Sequence, residues 1–396
     1  MTSSNLSGVF SHLRVSQLKS LLFQMGRATT GTKPAMQAAL KRALAYDSNY
    51  FSSRPQRILS IDMGIRNLAF CVCDVDFNTY SATPTASPSI PTMNIIAWQR
   101  IAVLDMISSA SGTSQDCNPS SSTSHGSNDD KSSMSTLLFT PSTLAPTAHT
   151  LVKNLFLPFQ PSIILIERQR FRSGGGSAVQ EWTVRVNMLE SMLWAVFETL
   201  KRERQSASVL DPGDVNQRLP VVHAVSPARV GQFWVENKLA SGAQKDRKVR
   251  RKVEKMDKIA VARDLIGDKD SADANPYMLP TSKMLSLRFS GRAEDTRRAF
   301  VAKTGRNRRH LTLAKNSDRK DSGDVVPTNA ILTGSELDVV IQPGPIDKLD
   351  DLADSLLQAG AFLKWEVNRR SIARMGSEEL QRYLVDVESS QIGEPI

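Results

Sequence analysis

Ile58-Leu59-Ser60-Ile61-Asp62-Met63-Gly64 places an acid at the end of an apolar run and follows it with a glycine. A short run of this kind, within Arg57 to Asp62, reads as a buried β-strand. The glycine lets the chain turn close against a ligand. The same pattern returns a hundred residues on, where the strand-like Ser162 to Ile166, with its apolar run Ile163-Ile164-Leu165-Ile166, leads into Glu167. An acid inside or just past a buried strand is unfavourable unless its charge is compensated, and a divalent cation compensates it directly. Two such acids on separate strands point to one shared site.

Working outward, Leu68 to Val75 and Asn94 to Val103 read as two further strands, and with the first they form an antiparallel meander. A helical pattern covers Ala145 to Leu157, and a longer one runs from about Val179 to Arg204. Val221 to Val225 reads as a fifth strand, and Pro227 starts a helix containing Val230, Phe233 and Trp234. Asp347 to Trp365 is strongly amphipathic. The alternation predicts an α/β domain over 55–395 with five strands flanked by helices. Two stretches interrupt it. Residues 106–140 are dominated by Ser, Gly, Asn and Asp, as a disordered insertion is, and residues 242–345 read as a basic, irregular insertion, helical at its start.

Residues 1–50 form a separate small module. Val15 to Leu22 and Pro34 to Leu44 have apolar residues at helical spacing, joined through Gly26, Thr29, Thr30, Gly31 and Thr32. Leu18, Lys19, Leu21, Leu22, Met25 and Gly26, then Thr29 to Lys33 and Leu40, resemble the SAP motif, a helical hairpin that touches DNA backbones. The first 46 residues contain no Asp or Glu, while Arg14, Lys19, Arg27, Lys33, Lys41 and Arg42 supply positive charge. Mitochondrial targeting segments have this composition, and one segment can serve both purposes.

Lys and Arg total 50 against 40 for Asp and Glu, a formal charge of +10 that favours a polyanionic partner, nucleic acid before an anionic membrane surface. No stretch approaches the roughly 18 apolar residues of a membrane-spanning helix. Cys71, Cys73 and Cys117 cannot pair completely, and their spacing with the five histidines does not resemble a zinc site. Cys71 and Cys73 alternate on a strand and read as packing residues. There is no G-x-x-x-x-G-K-[ST] loop and no nucleophilic Ser or Cys beside a base, which sets aside P-loop nucleotide hydrolysis and acyl transfer. Gly174 to Gly176 read as a flexible loop.

A third group of acids opens the amphipathic segment, in Asp350-Asp351-Leu352-Ala353-Asp354. On a helix Asp354 lies roughly 40° around from Asp350 and roughly 60° from Asp351, so either pair presents two acids on one face. Acids at a helix N-terminus also act as caps and favour the macrodipole, so this cluster alone is read equally well as capping or as chemistry. Together with the two strand acids, it can supply oxygen ligands for Mg2+, with Mn2+ as a substitute. Such ions activate a water and stabilise the departing oxygen in phosphodiester hydrolysis.

Ser60 to Phe70 resembles the first motif of the fungal mitochondrial Holliday junction resolvases, relatives of the bacterial RNase H-like resolvases. Ile166 to Ser173, Ser226 to Trp234, and Lys348 to Leu357 resemble that family's later motifs, in order. The resemblance implies an RNase H-like mixed five-stranded sheet and a magnesium-dependent homodimer that nicks four-way DNA junctions symmetrically in mitochondrial DNA recombination. Two equivalent cuts ask for two sites related by a two-fold axis. Asp62 and Glu167 match the family's metal-binding catalytic acids and Asp350 and Asp354 its terminal pair, with Asp351 a rival to Asp350 because adjacent acids leave the register open. Other readings of the chain are an RNase H-like nuclease of different substrate preference and a branched-DNA-binding or nucleoid protein without catalysis.

Basic residues near these acids are the candidate DNA contacts. Arg66 lies in the first motif, Arg168, Arg170 and Arg172 alternate beyond Glu167, and Lys33 belongs to the SAP-like module. Lys245, Lys248, Arg251 and Lys252 sit in a dense block that continues through Lys255 and Lys258 and would attract DNA without sequence preference. Arg306, Arg308 and Arg309 read as part of a disordered arm. Phe171 is the candidate for base stacking, whereas Trp182, Phe233 and Trp234 read as core. Met188, Leu189, Met192, Leu193 and Val196 form a stripe for the core or a dimer seam.

Overall fold

β1 (Gln56–Asp62) is the central strand because both its faces are apolar, with Ile58, Leu59 and Ile61 fully buried. It pairs antiparallel with β2 (Asn67–Val75), which pairs antiparallel with β3 (Thr92–Ala102). On its other side it pairs parallel with β4 (Ile163–Glu167), and β4 pairs parallel with β5 (Val221–Val225). The computed structural model of the chain describes residues 10–45, 55–65, 67–77, 90–103, 139–169, 181–210, 219–240, 253–267, 284–313 and 348–391. These five strands, a meander followed by two parallel crossovers, are the mixed sheet expected of an RNase H-like core.

Side chains alternate across the sheet. Leu59, Ile61, Phe70, Val72, Ile164 and Ile166 face α3 (Pro141–Thr150), its continuation through a wide turn over Leu151–Phe156, and α4 (Glu181–Leu210). Ile58, Cys71, Cys73, Trp98, Ile163 and Leu165 face the opposite layer, which confirms the two cysteines as packing residues. That layer is built from α5 (Pro227–Ala240), α6 (Lys255–Ile266), α7 (Arg292–Leu313) and α8 (Leu349–Arg374). Phe233 and Trp234 are buried there as predicted. Leu189 and Leu193 of α4 are core residues, but Trp182 is 37% exposed, where it meets the edge of Phe139 and lies under the Arg185 guanidinium. It lies at the first turn of α4, ahead of the stripe that begins at Met188.

The region predicted as an irregular insertion holds three ordered elements. A sixth strand, β6 (Ser286–Phe289), pairs parallel with β3 and extends the sheet, and α6 and α7 pack beside it. α6 is the helical start that was expected, whereas basic composition hid α7, which buries Ala293, Phe300 and Thr304 at helical spacing among Arg292, Arg297 and Arg298. Arg306, Arg308 and Arg309 therefore belong to a helix and not to a disordered arm. Most of the 106–140 insertion lies outside the described residues.

α1 (Val15–Gln24) and α2 (Lys33–Ala45) form the predicted N-terminal hairpin. Leu18, Leu21, Leu22, Met36 and Leu40 share a core with Ile372 of α8 and with Leu380 and Leu384 of α9 (Ser377–Gln391). At the join Gly26 adopts φ +65°, and a Cβ there would fall 2.3 Å from the Trp365 ring. Asn368 Nδ2 donates to Gln24 O at 2.9 Å, and Arg229 Nη1 donates to Gly26 O at 3.3 Å. The hairpin is thus seated on the same helix that covers the sheet. No helix among the described residues is long and apolar enough to cross a membrane.

Candidate metal centre

Ile61 and Ile166 are partners in the parallel β1–β4 ladder, so Asp62 and Glu167 leave neighbouring strands side by side. Alternation puts both carboxylates on the face of Ser60 and Leu165, under α8. Gly64 serves the turn that follows: a Cβ there would lie 2.0 Å from the Asn67 carbonyl oxygen. The sequence reading gave this glycine a ligand to approach, and the structure gives it backbone.

α8 delivers the third acid. Its position over the strands is set by polar contacts that an apolar interface alone would not specify. Gln358 Nε2 lies 3.1 Å from Ser60 Oγ, 3.2 Å from Ile61 O and 3.3 Å from Leu165 O, and its two hydrogens are donated among these acceptors. Trp98 Nε1 donates to Leu352 O at 3.0 Å and Trp234 Nε1 to Leu357 O at 2.9 Å. One turn before Gln358, Asp354 then meets the strand acids. Asp62, Glu167 and Asp354 each offer an oxygen within 4.8 Å of the others, with Asp62 the deepest. Three hard carboxylate donors in this space fit a divalent cation of the magnesium or manganese type.

Electrostatics agrees with this reading. Burial, then the charge of Glu167 and a hydrogen bond shared with it, push the Asp62 carboxyl well above its usual range, with Asp354 and Asp351 adding to the effect. Burial also raises Glu167, against the hydrogen bond from Asp62, while Asp354 and Glu190 repel its charge. Asp354 is raised by burial, in part offset by Lys258, whose Nζ is 2.7 Å from Asp354 Oδ2. Such crowding of like charges at one sheet end is what a bound cation would relieve.

The other acids of the α8 N-terminus turn elsewhere. Asp350 pairs with Lys255, and although burial pushes its carboxyl upward, that partner's hydrogen bond and charge outweigh it and hold it low. Asp351 Oδ2 lies 3.6 Å from Nε of the buried Arg100 on β3, and burial together with Asp350 pushes its carboxyl up to about 6. The cluster therefore contains Asp354 without Asp350, which sits one turn earlier.

Arg168 is exposed directly after Glu167, its backbone N–H bonded to Val225 O at 2.8 Å, and Lys33 is exposed at the start of α2. Arg66, Arg170, Phe171, Arg172, Lys245, Lys248, Arg251 and Lys252 lie outside the described residues, as do Cys117 and Gly174 to Gly176. Lys255 and Lys258 were expected to join a DNA-facing block, and they instead face acids of α8, because α6 packs along that helix. Sequence reasoning did not reach Gln358, whose one signal is a polar residue four positions from Asp354 in an otherwise buried helix. It also missed Glu190 of α4, whose Oε2 accepts the Gln169 backbone N–H at 2.9 Å and steadies the segment after Glu167.

A β1–β2–β3 meander with parallel β4 and β5, and an acid at the ends of β1 and β4 completed by one from a covering helix, define an RNase H-like protein with a carboxylate centre. A family model described as mitochondrial resolvase Ydc2 / RNA splicing MRS1 matches residues 58–372, and the chain belongs to that family. A SAP domain model matches residues 9–45. The chain is 37% identical over 113 residues to the mitochondrial cruciform cutting endonuclease 1 of Schizosaccharomyces pombe. That alignment takes in 28% of this chain and 40% of the relative. Among solved structures, the yeast mitochondrial Holliday junction resolvase Ydc2 superposes with a TM-score of 0.47 at 19% identity, over 93% of this chain and 99% of that one. Thermus thermophilus RuvC gives 0.21 at 14% identity, over 63% and 96%.

Proposed function

We propose that this chain is a structure-selective endonuclease that resolves four-way DNA junctions by metal-dependent phosphodiester hydrolysis during mitochondrial DNA recombination. The observation that carries this reading is the convergence of Asp62, Glu167 and Asp354, whose ligand oxygens lie within 4.8 Å of one another at the end of the sheet. Membership of a resolvase family and the name of the S. pombe relative supply the substrate class and the mitochondrial setting. The acid-free N-terminal 46 residues agree with that setting.

In this reading Asp62, Glu167 and Asp354 hold Mg2+, or Mn2+ in its place, and Asp350 lends negative charge one turn away. When bound, the ion supplies Lewis acidity that activates water and stabilises the departing oxygen. Arg168, exposed directly after Glu167, positions a phosphate, and Arg66, Arg170 and Arg172 are further candidate phosphate contacts. Lys245, Lys248, Arg251 and Lys252 add attraction for the DNA backbone without sequence preference. The module of residues 1–50, through Lys33 and its neighbours, grips backbone beyond the site, while residues 55–395 form the catalytic domain. Two copies related by a two-fold axis place the paired nicks.

The test compares four-way junction, linear duplex and RNA:DNA hybrid with Mg2+ for the native chain and Asp62→Asn. Nicking of the junction by the native protein, with binding but no nicking by the variant, is the expected result. Preference for the hybrid would reassign the substrate. Binding by both proteins without nicking of any substrate would make the chain a branched-DNA-binding protein without catalysis.

A further inference from the structure

The ammonium of Lys258 stands against Asp354, a member of the acid cluster. It reaches in from the second turn of α6, a helix held against the core by Val261, Ala262, Leu265 and Ile266. Its Nζ lies 2.7 Å from Asp354, and its side chain is only 20% exposed. Lys255, one turn earlier, makes a similar pair with Asp350 from a side chain that is 78% exposed, outside the cluster. A lysine drawn this far from water would ordinarily be disfavoured as a cation, and here Asp354, Glu167 and Asp62 together reverse that tendency. Lys258 is therefore a largely buried partner of one of the three converging acids and not half of a surface pair.

We propose that Lys258 is the resident counter-cation of this centre: it holds Asp354 while no divalent ion is bound, yields Asp354 when one binds, and so sets how tightly the ion is held. The inference rests on the metal-site reading given above. An ammonium and a divalent ion on the same carboxylate repel each other at short range, and one must retreat. Lysine suits this exchange, because its charge is compact and its four-carbon stem can swing, whereas a guanidinium grips a carboxylate in a fixed fork. An ammonium turned out of the cluster finds its natural partner in a nucleic-acid phosphate, so ion and substrate would each favour the other's binding.

Mn2+ binding to the full chain, measured by calorimetry and by the loss of the free-ion electron paramagnetic resonance signal, tests this without reference to cleavage. Lys258→Met should bind Mn2+ about tenfold or more tightly than the native chain, since one competing charge has left the site. Lys258→Arg, which keeps the charge and grips the carboxylate more firmly, should bind Mn2+ no more tightly than native, and Lys255→Met, which lies outside the cluster, should remain within about threefold of native. Lys258→Gln serves as the second neutral variant should Lys258→Met fold poorly. Unchanged or weaker Mn2+ binding in the neutral variants would overturn the role of Lys258 while leaving the site intact. If the native chain bound Mn2+ no better than Asp62→Asn, the metal-site reading would fall, and this inference with it.

Discussion

Gln358 offers the sharpest test of how the fold builds the site. Its amide is buried between α8 and the sheet, where one nitrogen serves Ser60 Oγ and the carbonyls of Ile61 and Leu165. Gln358→Met keeps the length and removes both donors. Two lost hydrogen bonds at about 1 kcal/mol each, plus an unsatisfied Ser60 hydroxyl in a dry interface, give a destabilisation of about 2–4 kcal/mol. Urea unfolding would register it as a lower midpoint with an unchanged slope. The same anchor seats Asp354 one turn away, so nicking should fall about tenfold to a hundredfold, as small misplacements of reacting groups do. A variant with the expected loss of stability and native nicking rates at saturating Mg2+ would refute the claim that Gln358 places the third acid.

In the ion-free protein the carboxyls of Asp62, Glu167 and Asp354 are raised, and that of Asp351 is raised to about 6, so the folded state keeps protons that the unfolded chain has released. Stability should therefore fall as pH rises from about 4 through these folded values, and Mg2+ should flatten the slope, as melting curves with chelator or with Mg2+ will show. Asp354→Asn should remove Mg2+-dependent nicking, whereas Asp350→Asn, at a carboxylate already paired with Lys255, should lower it by about tenfold or less. Gly26→Val places a branched side chain at a positive φ and against the Trp365 ring; junction affinity and protease resistance of residues 10–45 should drop, with nicking at saturating junction retained.

The strands were legible because they are buried on both faces: Ile58 to Ile61 and Ile163 to Ile166 are continuous apolar runs, each ended by its acid. That alone sufficed to pair Asp62 with Glu167. The choice among Asp350, Asp351 and Asp354 was not legible, because helical periodicity gives relative angles and not the rotation of α8 about its own axis. Gln358 and the two indole N–H groups that lock that rotation act across more than a hundred residues of sequence. β6 and α7 were hidden for a different reason: no residue of β6 is fully buried, and among its described residues α7 buries only Ala293, Phe300 and Thr304 of a polar segment, against a core already complete enough to be read without them. The paired lysines of α6 were misread as a DNA-facing block because a run of cations carries no mark of which members meet acids.

One helix links the ends of this molecule. α8 carries Asp354 in its second turn and seats the N-terminal hairpin through Trp365 and Asn368 farther along. At about 1.5 Å per residue, Asp354 and Asn368 are about 21 Å apart along the axis, comparable to six steps of a nucleic-acid strand. If the hairpin grips phosphates and the carboxylates cut them, as proposed, such a strut works as a calliper. Its span is inherited from the hydrophobic interior, so the reach from grip to cut cannot be retuned without rebuilding the core.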